Sequence, residues 1–305
     1  MTDRGVIEGQ GVLDLTRMTK EDLAGISGLA NIGAVVVPES LAGAYAAIPA
    51  EGVGGTVYVP DGAKIRVHAG TLVVGGDGLG ASDETLVLVG AMVITSPVTG
   101  ELPQRINVVG SLIAPRGSES ALGAVLGDVT GAVTYYRYVE GQQVKVQSGQ
   151  VRLSGAALAN TAGEPSDILV ASGQVIITGE VGEIGYSQLF LSGQVIAPET
   201  AQARLEPRLD VQGQVVWYRS GDPRLFMDDV ELGADFFRLL DHKITLLVFG
   251  DLTISAGVTA ELLIEKVADL LLFGDAVAPA EAVPALQVLA TSEFGRIRTA
   301  DGSHG

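Results

Sequence analysis

The sequence predicts an all-β fold, a parallel β-solenoid of about fourteen coils with short helical insertions. Three observations carry this expectation. Short apolar runs recur around a glycine roughly every twenty residues, a longer pattern of about eighty residues lies over that rhythm, and the composition is unusually apolar. The chain has 305 residues, 47% of them hydrophobic and 18% charged, with 41 glycines. Such a balance fits strands buried on both faces, as in stacked parallel sheets, rather than half-solvated ones.

The shorter period is plainest in LVASGQVIITG (169–179), LFLSGQVIAPE (189–199) and RLDVQGQVVWY (208–218). Repeats at such intervals mark solenoid architectures. Following the residue between two apolar runs gives anchors at Gly33, Gly55, Gly70, Gly90, Gly110, Gly131, Gly149, Gly173, Gly193, Gly213, Asp228, Gly250 and Gly274. Each interval holds one or two β-rich runs and turn residues, too little chain for a strand-helix-strand crossover.

The longer period appears in GAVVVP, GSLIAP, GQVIAP and GDAVAP, which start at Gly33, Gly110, Gly193 and Gly274 and are spaced by 77, 83 and 81 residues. The expectation is one domain over 1–305: an N-terminal cap and first coil at 1–32, four-coil units at 33–109, 110–192 and 193–273, and final coils with a tail at 274–305. Pro38, Pro115, Pro198 and Pro279 close strands, because proline donates nothing to a ladder. It also suits a first helical position. The Ala- and Leu-rich stretches after each proline therefore read as helical turns, with Leu122, Leu205 and Leu286 pinning three of them to the core. Thr19 and Thr259 read as N-caps of two further helices, and 234–240 as one more.

Several function classes are set aside by composition. A net charge of -17 opposes binding to nucleic acid or anionic membranes, both of which call for clustered Lys and Arg. No apolar run reaches the length of a membrane-spanning helix, so no direct membrane insertion is expected. The first ten residues lack the layout of a signal peptide, which makes a cytoplasmic location the expectation. There is no cysteine, hence no disulfide and no thiolate metal site. No cofactor, metal or catalytic residue is expected: His68 occupies a coil position held elsewhere by Gln147 and Phe226, His242 follows Asp241 in a loop, and His304 lies in the last residues.

Three groups stand out as structural or binding candidates. Gln150, Gln174, Gln194 and Gln214 each follow an anchor, and coils stacked about 4.8 Å apart would join their amides into a ladder. Asp251 and Asp275 hold the same place later; two carboxylates alone fall short of the six or more oxygens that calcium takes. The aromatic-basic clusters Tyr135, Tyr136, Arg137 and Trp217, Tyr218, Arg219 suit a sugar platform or an interface hot spot. A weaker acidic cluster, Asp228, Asp229 and Glu231 with Arg224, is the nearest arrangement to a carbohydrate-processing site.

The runs LLVFGDLTISAGV (246–258) and LLLFGDAVAPA (270–280), with their apolar-Gly-Asp-apolar cadence, resemble the coils of bactofilins, bacterial cytoskeletal proteins. The resemblance extends as a rhythm over about residues 5–295. It implies β-solenoids that join end to end into filaments, and no residue role is carried over from it. The expected function is accordingly non-enzymatic: a structural or scaffold protein whose partner is itself, as filament or defined oligomer. The alternatives are a carbohydrate-binding or carbohydrate-processing β-helix using the Trp217 and Asp228 face, and a docking platform for another protein.

Overall fold

The structure of the chain, a computed structural model, describes residues 5–219 and 222–300; His304 and the first four residues lie outside that range. Strands make up 49% and helices 16%, and the strand pairings are parallel. The fold is all-β with parallel sheets.

Those strands fall into six sheets, so the ladders do not run on as one stack of about fourteen coils. They are interrupted after the strands ending at Val59, Tyr136 and Tyr218. This marks out four repeats: 5–59, 64–136, 144–218 and 222–299. The first interruption has a local cause, since Pro60 offers no amide to a ladder and Gly62, at φ 74°, turns the chain. The last three repeats start at 64, 144 and 222, about eighty residues apart, while the first is shorter, and none starts at Gly33, Gly110 or Gly193. Gly110 and Gly193 lie in the middle of the strands Arg105–Pro115 and Gln188–Pro198.

The chain divides into two compact units, 1–148 and 149–305. In the first, the strand Ala34–Pro38 shows why its sequence is a continuous apolar run. Val35 and Val37 enter the core of repeat 1 with Leu13, Leu29 and Ile32, while Ala34 and Val36 point the other way, against Val87 and Val109 of repeat 2. The second unit follows the same logic. Ile244, Leu246 and Val248 fill the core of repeat 4, and Leu247 joins Leu271 against Ile176, Ile196 and Val216 of repeat 3. Strands buried on both faces lose the polar alternation of a half-solvated sheet.

Within a repeat each pass of chain lies in register on the last. Gly173 pairs with Gly193 and Gly193 with Gly213. At Gly193 the backbone turns with φ 131°, and a Cβ there would strike the carbonyl of Gly173. Only glycine permits both the turn and the close stacking.

Helices follow the repeated prolines: Ala42–Tyr45, Glu119–Gly123, Gln202–Leu205 and Val283–Leu289. Leu122, Leu205 and Leu286 are fully buried beneath the last three. The Thr19 hydroxyl accepts from the Asp22 amide in a capping box, and that of Thr259 accepts from the Leu262 amide at 3.3 Å. Ala234–Arg238 is helical as well.

Candidate functional site

Parallel, in-register pairing brings the glutamines after the glycine corner into line. Gln150 Nε2 donates to Gln174 Oε1 at 2.8 Å, Gln174 Nε2 to Gln194 Oε1 at 2.8 Å, and Gln194 Nε2 to Gln214 Oε1 at 3.3 Å. Every step points the same way along the chain. The two inner amides each give and receive a hydrogen bond within the row.

In repeat 4 the same position holds aspartate, and the chemistry changes. A carboxylate only accepts, so each side chain takes the backbone N–H of its counterpart in the next pass. Asp229 Oδ1 accepts from the Asp251 amide at 2.8 Å, Asp251 Oδ1 from the Asp275 amide at 2.8 Å, and Asp275 Oδ1 from the Arg296 amide at 2.9 Å. Asp275 also pairs with the Arg298 guanidinium. The Arg296 amide first, and then the two arginine charges, hold its carboxyl below the usual range. These carboxylates are turned to backbone donors and not to a common centre. Among the described residues no group of three or more His, Asp or Glu side chains is placed to hold a metal ion.

The aromatic-basic clusters divide by burial. Tyr136 and Tyr218 are enclosed, at 0% and 1% exposure, which takes both rings out of any surface platform. Their hydroxyls donate to the carbonyls of Ile94 at 2.8 Å and Ile177 at 3.1 Å, 42 and 41 residues earlier. Each phenol thus spans two passes and ties the last pass of its repeat to the second. Tyr135 and Trp217 are half-buried against the cores of their repeats, and Arg137 and Arg219 are exposed.

Burial raises the Tyr218 hydroxyl from 10.0 to about 12, and Tyr136 is pushed up for the same reason. A group whose folded pKa is raised adds stability that is complete below its unfolded value and is lost as pH climbs through the folded one. Thermal unfolding followed by circular dichroism should therefore change little up to about pH 10 and weaken between about pH 10 and 12. Tyr218→Phe should flatten part of that alkaline slope; an unaltered slope would show that the phenol does not report on folding.

The remaining acidic and histidine candidates do not converge. Glu231 accepts from the Ser255 hydroxyl at 2.8 Å, Asp229 serves the Asp251 amide, and Arg224 pairs with Asp222 at 3.0 Å. His242 lies on the surface between Asp241, 2.5 Å away, and Asp222, 3.6 Å away; its hydrogen bond is the main cause lowering the Asp241 carboxyl. His68 stands beside Leu88, itself beside Val108, in a packing column. A groove of about 430 Å³ in repeat 3 is lined by Asn160, Thr161, Glu183, Tyr186, Ser187 and Arg208. Its polar groups hold the walls together: Arg208 donates to the carbonyls of Ile184 and Tyr186, and Asn160 to that of Gly185 at 3.0 Å.

Two further rows escaped the reading of the sequence. Phe249, Phe273 and Phe294 stack face to face, with centroids 4.6 and 4.9 Å apart and planes within 8°. Their signal was a phenylalanine just before a glycine, at Gly250, Gly274 and Gly295. The second row is Thr245 and Asp269, both fully buried, with Thr291 at the exposed end. Asp269 accepts from the Arg219 amide at 2.7 Å and the Thr291 hydroxyl at 2.5 Å, while Thr245 donates to the Arg219 carbonyl at 3.0 Å. Compared with protein-family models, with curated proteins and with solved structures, the chain gives no match.

Proposed function

We propose that the chain is a structural protein in which the four repeats are short β-solenoids, and that it self-associates as a scaffold instead of turning over a substrate. The Gln150–Gln174–Gln194–Gln214 row carries this reading: the repeated polar side chains bond to their own counterparts on neighbouring passes. Rows of identical side chains stiffen a stack of parallel strands. A scaffold role also agrees with the resemblance to bactofilins.

Electron microscopy of the untagged protein over a concentration series, paired with light-scattering mass, tests it. A filament or a defined oligomer is the expected result. Particles of about 31 kDa at every concentration would overturn the reading and turn attention to saturable oligosaccharide binding at Trp217 and Arg219.

A further inference from the structure

The strand Leu209–Tyr218 is the last of its sheet, and its inner side is incompletely covered. In the pass before it, Leu189, Leu191, Val195 and Ala197 are at most 2% exposed. Their counterparts Leu209, Val211, Val215 and Trp217 are only half-buried, and Gln212, Gly213 and Gln214 are exposed. The margin of a sheet also presents backbone N–H and C=O groups that the sheet itself does not use. Something of matching shape and polarity would complete this face.

The pattern of the strand identifies that partner. Read outward from Gly213, the strand has glutamine on each side, then valine, with apolar Leu209 and Trp217 at equal distance; Asp210 and Val216, which are not among the residues of the core of repeat 3, are the pair that differs. The four apolar side chains that look into the core, Leu209, Val211, Val215 and Trp217, are placed symmetrically about the corner. A strand of this kind is complementary to itself when the second copy runs antiparallel.

We propose that this margin is a two-fold interface with a second copy of the chain, its axis passing through Gly213. Leu209 then lies over Trp217 of the other copy, Val211 over Val215, and Gln212 over Gln214. Gly213 meets Gly213 with no Cβ on either side, so the corners approach as closely as they do within a repeat. The contact is isologous and closes on itself, giving a pair and not an open filament. The inference rests on the scaffold reading and specifies its surface.

The chain has no cysteine, which makes cross-linking clean. Directly opposed antiparallel residues have Cα atoms about 4.5–5.5 Å apart, inside the range a disulfide spans. Mixing Gln212→Cys with Gln214→Cys protein under mild oxidation should give several-fold more covalent dimer than either variant alone. The second variant is Gln212→Lys, which sets an ammonium group from each copy beside the axis and leaves the Gln150–Gln174–Gln194–Gln214 row intact. Gln212 is exposed and lies outside that row, so the circular dichroism and melting point of the variant should stay near those of the parent while its light-scattering mass halves.

Should the lysine variant fail to fold, the cysteine pair decides alone. A parent oligomer that persists in the lysine variant, with no preferential cross-link in the mixture, overturns this interface and leaves the scaffold reading standing. A parent chain that is monomeric at every concentration overturns both.

Discussion

Gly193→Ala is expected to lower the free energy of unfolding by about 4 kcal/mol, because two penalties add: a non-glycine residue at positive φ and a methyl group driven into packed backbone. The φ of 131° places alanine where L-residues rarely lie, and the carbonyl in its path belongs to Gly173 in the adjacent strand. Neither strand can retreat without opening the ladder on its other side. Gly182→Ala is the matching control. No atom lies within 4 Å of a Cβ built there, so its effect should stay within about 0.5 kcal/mol. Urea unfolding of both variants against the parent measures the contrast. A similar small loss in each would mean that the corners are not closely packed.

Asp269→Ala is expected to cost about 3 kcal/mol, since it removes a fully buried carboxylate together with the two charge-assisted hydrogen bonds it accepts. Asp269 is 0% exposed and lies in the strand Val267–Leu272. It holds the amide of Arg219, the residue just after the last strand of repeat 3, and the hydroxyl of Thr291 in the next pass of repeat 4. Losing it leaves the Arg219 amide without its acceptor and frees the start of the link into repeat 4. Asp269→Asn should cost roughly half as much: its Oδ1 still takes one of the two donors, and the Thr291 hydroxyl can rotate to accept from Nδ2. Thermal unfolding of the two variants should order them parent, Asn, Ala. Equal losses for Asn and Ala would point to charge, and not hydrogen bonding, as the stabilising element.

The parallel, glycine-cornered passes were legible in the sequence because each pass repeats the chemistry of the last at a spacing of about twenty residues. The helices after Pro38, Pro115, Pro198 and Pro279 were legible for a related reason: proline stops a strand and starts a helix by local sterics alone. Where one sheet gives way to the next was harder to see. Neighbouring passes in different repeats look alike, and the break depends on short linkers such as Pro60–Asp61–Gly62, which resemble the turns inside a repeat. Tyr136 and Tyr218 showed the opposite difficulty. Tyr135 and Tyr136 are adjacent in sequence, and only the depth of the fold sends the second ring inward to a carbonyl two passes away. Asp229 follows the anchor Asp228 as Asp251 follows Gly250, but its run of acidic neighbours, Asp228 and Glu231, disguised its place in the row as an acidic cluster.

The short sequence distance between paired strands has a consequence for how this molecule is made. Parallel sheets usually demand long crossovers, so their strands must search far along the chain for a partner, and such topologies form slowly. Here the partner of Gln188 is Ile168 and that of Leu209 is Leu189, each twenty residues back. A strand leaving the ribosome finds its neighbour already in place, and the loop to be closed is short enough that its entropy cost is small. Growth proceeds by addition to an existing edge, in the order of synthesis, and an interruption leaves behind a finished stack instead of a tangle.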